Sequence, residues 1–155
     1  MNTPINIVLV SLNDKFCKAV GQSLSETLDM FNANCEEMII YDMANPKDVI
    51  SKCGVEYFKK REFSVVRNCS EYHNTVLSIG FDHFKSYNDL FKNSLIIYIK
   101  LPSGKQDKVP NQINYEMRDQ FFSEKAQILV DMPQKSLKKC VNLIISKLGE
   151  YYENC

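Results

Sequence analysis

The chain has no net charge: nineteen lysines and arginines cancel nineteen aspartates and glutamates over 155 residues. No long-range field therefore draws nucleic acid or an anionic membrane to the molecule as a whole, and neither is expected as a partner. The first residues carry no basic region ahead of an apolar stretch, and the longest apolar runs, such as Ile5 to Val10, are far too short to span lipid. The expectation is a soluble, cytoplasmic protein. No C-x-x-C pair occurs among the six cysteines, at positions 17, 35, 53, 69, 140 and 155, which removes zinc and dithiol redox motifs. Scattered thiols in a cytosolic chain read as small buried hydrophobes, with Cys155 at the end exposed. His73 and His83 lack partners at metal-ligand spacing, so no metal site is expected. His83 beside Asp82 reads as a helix start rather than an acid–base pair. Repeats and low-complexity tracts are absent.

What is present is enough apolar material, 45% of residues, to fill one core, and the chain reads as one domain over 1–155. Ile5 to Ser11 is a nearly unbroken β-branched run, suited to a central strand buried on both faces of a parallel sheet. Cys17, Val20, Leu24, Leu28 and Phe31 step by three or four residues and give a helix from Cys17 to Met30. Glu37 to Met43 (EMIIYDM) reads as the second strand, with Asp42 at its C-terminal end and Asn45-Pro46 closing it. Pro46 to Lys52 forms a short helix ended by Gly54. Val55 to Cys69 forms a longer one, with Val55, Phe58, Val65, Val66 and Cys69 inward. Thr75 to Ile79 and Ser94 to Leu101 read as strands with a helix over His83 to Lys92 between them. Lys105 to Asn114 reads as a surface loop before a helix at Tyr115 to Lys125, and Ala126 to Asp131 and Ser136 to Tyr151 as the last strand and helix. This alternation predicts an α/β three-layer sandwich, a parallel sheet of about five strands with helices on both faces. Folds of this kind bind ligands beyond the strands' C-terminal ends.

After the first strand, a nucleotide kinase carries G-x-x-x-x-G-K-S/T, whose glycines bare backbone N–H groups to phosphate while the lysine neutralises it. Here the stretch is Ser11-Leu12-Asn13-Asp14-Lys15-Phe16-Cys17-Lys18, which by spacing is no such motif. Several later segments nevertheless resemble the shikimate kinase family, in its order and over nearly the whole length. Gly54-Val55-Glu56-Tyr57-Phe58-Lys59-Lys60-Arg61-Glu62 is similar to the family's G-E-x-x-F-R-x-x-E. Val76 to Asp82 is similar to the strand and triple-glycine substrate loop, and Ile96-Ile97-Tyr98-Ile99 to V-V-Y-L. Arg118 to Ala126 is similar to R-x-P-L-Y-x-x-x-A. The resemblance implies a P-loop, shikimate-kinase-like fold.

It also makes the departures informative. With Gly21 aligned to the glycine after the loop's first helical turn, Ser11 and Phe16 take phosphate-loop glycine positions and Cys17 takes the lysine's. Lys18 and Ala19 stand at the hydroxyl positions. Phenylalanine blocks close approach of backbone to phosphate and cysteine supplies no cation. A one-residue slip puts Lys18 in the lysine's place at the expense of the neighbouring glycine and hydroxyl. The family's D-x-D acid falls on Glu36 (Asn34-Cys35-Glu36) in one register and on Asp42 in the other. Lys59 replaces the substrate-gripping arginine and loses its two-pronged hold on a carboxylate. Gly80 survives from the glycine triplet, while Phe81 and Asp82 fill and acidify the pocket against shikimate. Arg118 matches the second gripping arginine, so Lys59 and Arg118 form either a residual anion site or ordinary surface charge. The lid reduces to about 102–114 and contains no arginine to stabilise transition-state charge. The expectation is a noncatalytic, shikimate-kinase-like pseudoenzyme with no cofactor and with a protein or a small anion as partner. The alternative is a shikimate-kinase-type phosphotransferase using ATP and magnesium.

Overall fold

In the computed structural model, residues 6–102 and 112–153 are described. The most continuously β-branched segment forms the centre of the sheet: β1 (Asn6–Ser11) is buried along its whole length. It pairs in parallel with β3 (Thr75–Ser78) and β4 (Leu95–Lys100), and these in turn pair with the edge strands β2 (Phe31–Asn34) and β5 (Ile128–Asp131). The order is β2-β3-β1-β4-β5, all parallel, as the alternation of strands and helices predicts.

Alternate residues of β1 feed two cores, because side chains along a strand point to opposite faces. Ile7 and Leu9 pack with α1 (Asp14–Leu28) and α7 (Leu137–Glu153), through Val20, Leu24, Val141 and Ile144 among others. Val8 and Val10 pack on the other face with α2 (Cys35–Met43), α4 (Val55–Ser70), α5 (Phe81–Tyr87) and α6 (Gln112–Lys125). There Phe122 stacks on Tyr98, Phe81 and Phe84 with ring centroids 5.1, 5.4 and 5.9 Å apart, the separations at which aromatic edges and faces attract. No helix among the described residues is long and apolar enough to cross a membrane.

Glu37 to Met43 is not a strand. It lies in α2, which starts at Cys35 with Asn34 as its N-cap, the Asn34 Oδ1 accepting from the Glu37 N–H at 3.0 Å. Cys35, Ile39 and Met43 are its buried positions, whereas Glu37 and Tyr41, which a strand would turn to the same face, are exposed. Ile40 and Tyr41, which make the segment look strand-like, are 53% and 89% exposed. The second strand is instead the short edge segment Phe31–Asn34, with no β-branched residue and Phe31 72% exposed.

The short helix α3 (Pro46–Cys53) and α4 meet at Gly54 as expected, and Gly54's φ of 89° is one that residues with a Cβ adopt only under strain. On α4, Val65, Val66 and Cys69 are buried while Val55 is half exposed. The helix expected over His83 to Lys92 begins two residues earlier and tightens into a 3-10 turn at Asn88–Phe91. Cys17, Cys35, Cys69 and Cys140 are buried thiols and Cys53 is exposed. Cys155 and most of the expected lid, 103–111, lie outside the described residues.

Candidate functional site

A cleft of about 160 Å³ opens at the C-terminal ends of β1 and β3, lined by Ser11, Leu12, Asp14, Glu36, Gly80, Phe81, Asp82, His83 and Arg118. Three helix starts converge on it. Asp14 is in the first turn of α1, Glu36 in that of α2, and Phe81, Asp82 and His83 in that of α5. Acidic side chains are favourable there because each helix N-terminus carries partial positive charge.

Gly80 is the point of closest approach. A Cβ at this position would lie 3.1 Å from Glu36 Oε2, close enough to displace that carboxylate, and in ordinary contact with Asp14 Oδ1 at 3.6 Å. The Gly80 N–H donates to Glu36 Oε2 at 2.8 Å, and His83 Nδ1 meets the same oxygen at 2.7 Å. On its other edge His83 Nε2 faces Glu62 Oε2 at 3.3 Å, and the Tyr87 hydroxyl donates to Glu62 Oε1 at 2.7 Å. The hydrogen bond from Glu36 raises the His83 pKa above the ordinary imidazole value, burial opposes it, and the charges of Glu36 and Glu62 add to the rise.

Arg118 enters from α6. That helix is fastened to the end of β4 by its neighbour Asp119, which accepts from the buried Tyr98 hydroxyl at 2.6 Å and pairs with Lys100 at 3.4 Å. The Arg118 guanidinium lies over the Phe81 ring, 4.7 Å from its centroid, and its buried Nε has no hydrogen-bond partner among the described residues. A guanidinium held flat on an aromatic face keeps its charge while its orientation is restricted.

Of the residues singled out in the sequence, Ser11, Glu36, Gly80, Phe81, Asp82, His83 and Arg118 share this cleft. Phe16, Cys17, Lys18, Lys59 and Asp42 do not line it. Phe16 and Cys17 turn into the core between the sheet and α7, where Phe16 is 6% and Cys17 2% exposed. Burial pushes the Cys17 thiol pKa well up, and the nearby charges of Asp14 and Glu36 push it further. Lys18 reaches across the surface to an ion pair with Glu37. Lys59 is exposed on α4. Asp42 requires correction: with α2 a helix, it points outward and holds Arg61 in two hydrogen bonds of 2.9 and 2.8 Å, so the acid at the cleft is Glu36.

The loop ahead of α1 is closed by its own side chains. Asn13 Oδ1 accepts from the Phe16 N–H at 2.9 Å, and the Asn13 N–H donates to Ser11 Oγ at 3.2 Å. Sequence reasoning missed the partners of His83, which lies inside the first turn of α5 rather than at its start and joins Glu36 and Glu62, residues 47 and 21 positions away in the chain. Among the described residues no group of three or more His, Cys, Asp or Glu side chains is placed to hold a metal ion.

A family model described as "Shikimate kinase" matches residues 18–108. Among solved structures, shikimate kinase from Aquifex aeolicus is 21% identical, with a TM-score of 0.76 over 96% of this chain and 98% of that one. The Acinetobacter baumannii enzyme in complex with shikimate is 20% identical, with a TM-score of 0.78 over 96% and 95%. That from Bacteroides thetaiotaomicron is 14% identical, with a TM-score of 0.62 over 94% and 98%. No curated protein sequence matches the chain.

Proposed function

The chain belongs to the shikimate kinase family, and we propose that within it this protein is a noncatalytic member, a pseudoenzyme whose cleft is a binding remnant. The observation that carries the reading is the state of the α1 N-terminus. In a working phosphate loop the first N–H groups of the helix and a lysine are offered to phosphate. Here the Phe16 N–H is taken by Asn13 Oδ1, Asp14 puts a carboxylate into the cleft, and Phe16 and Cys17, aligned to a glycine and the lysine, are buried in the core. These groups do not fit a triphosphate. The slipped register is no better supported, since Lys18 is engaged with Glu37.

The family match begins at Lys18, after Ser11 to Cys17, and so bears on the substrate side of the cleft rather than on the phosphate loop. On that side Glu36, Gly80 and Arg118 are gathered, the part of the site a small ligand or a partner protein would meet. The domain reading is one unit, in a cytoplasmic protein that needs no cofactor; residues 112–114, expected in the lid, belong to α6.

Titration with magnesium and ATP tests the proposal. A ligand at a hundred times its dissociation constant stabilises by about 2.7 kcal/mol, and no rise in melting temperature is expected at millimolar nucleotide. A nucleotide-dependent rise would overturn the reading of the phosphate loop as unable to take ATP, and the appearance of phosphorylated shikimate would establish instead the ATP- and magnesium-dependent phosphotransferase.

A further inference from the structure

A neutral imidazole carries one N–H, and its other nitrogen is a lone pair. Both nitrogens of His83 face carboxylate oxygens, Nδ1 at 2.7 Å from Glu36 and Nε2 at 3.3 Å from Glu62. Two carboxylates can be satisfied at once only if both nitrogens carry protons, so the geometry belongs to the imidazolium. The contacts join three helices, since Glu36 comes from α2, Glu62 from α4 and His83 from α5.

We propose that His83 is a built-in occupant of the cleft: as a cation it sits on Glu36, the acid a ligand would use, ties α2 and α4 to α5, and releases α4 when it loses its proton. The inference rests on the reading of this cleft as a binding remnant and adds a regulator to it. Other ionisable groups around it are Asp14 from α1 and Arg118 from α6, which line the same cleft, Asp82 beside it on α5, and Tyr87 behind Glu62. Carboxylates outnumber Arg118 in this set, which favours the proton on His83. Once it is lost, one N–H remains for two acceptors and a lone pair faces an oxygen. The longer contact, to Glu62, is the one that opens. A ligand that needs Glu36 or the Gly80 N–H then competes with a neutral ring instead of a cation.

Imidazole proton NMR across pH, with parallel amide spectra, tests this on the intact chain without nucleotide. His83 is expected to titrate with a midpoint above about 6.5, the ordinary imidazole value. The Gly80 and Glu62 amide signals should follow the same midpoint, and in Glu62→Gln it should fall toward the ordinary value. A wild-type midpoint at or below about 6.5, or amides that do not register the His83 titration, would overturn the latch whether or not the variant folds. Nucleotide binding, which would defeat the noncatalytic reading, leaves this measurement unaffected.

Discussion

In the proposed register Cys17 takes the place of the family's phosphate-binding lysine, and its surroundings would keep a lysine there from serving a phosphate loop. The side chain is packed against the sheet and α7 at 2% exposure, where an ammonium would lose its water and a longer side chain would overfill the core. Cys17→Lys is expected to lower stability by about 3 kcal/mol in urea denaturation, the scale set by desolvating a charge in a packed core, even with Asp14 and Glu36 nearby. His83 gives a second expectation. Its pKa is raised in the folded state by Glu36 and Glu62. The stability it contributes is therefore fully present below its unfolded value, about 6.5, and is lost as pH rises through the folded midpoint. Melting temperatures taken from pH 5.5 to 8.5 should fall in that direction, and His83→Gln should remove this part of the profile.

Among the helices, α2 shows how burial periodicity overrides local propensity. Met-Ile-Ile-Tyr is strand-like as a string, but a strand would place positions 39, 41 and 43 on one face, whereas Ile39 and Met43 are buried and Tyr41 is 89% exposed. Ile39→Ala is expected to destabilise by about 2 kcal/mol or more and Tyr41→Ala by less than about 0.5 kcal/mol, read from denaturant midpoints. Comparable losses at both positions would contradict the helix. Removing the N-cap by Asn34→Ala should cost about 1 kcal/mol. It should also disturb the cleft, because Asn34 Nδ2 donates to Ser78 Oγ at 2.8 Å and so fixes the start of α2 against the end of β3.

Across the whole molecule, the two cores divide the chemistry. The face that packs α1 and α7 has absorbed Phe16 and Cys17, while the α2, α4, α5 and α6 side supplies Glu36, Glu62, His83 and Arg118. Burial in either core sets thiol reactivity. Cys17, Cys35, Cys69 and Cys140 are buried, and burial pushes the Cys140 pKa up to about 12, so only thiolate-rich, exposed sites should react. Among the described cysteines, Cys53 alone should react with a thiol reagent in the native state, with the buried four released on unfolding.

The parallel sheet was legible in the chain because buried strands such as Asn6–Ser11 and Leu95–Lys100 must be apolar on both faces, and that composition survives whatever they pack against. The stretch Ser11 to Lys18 likewise shows by residue type alone that it lacks the spacing of a glycine- and lysine-bearing phosphate loop. The edge strand Phe31–Asn34 and the helix at Cys35–Met43 were not, because their pairing and burial come from β3 and α4, far along the chain. The choice of Glu36 over Asp42, and the clasp of His83 between Glu36 and Glu62, likewise waited for the packed structure. Hydrogen bonds among residues 21 to 47 positions apart follow from how helices come to rest on a sheet, and no local pattern of residues encodes that.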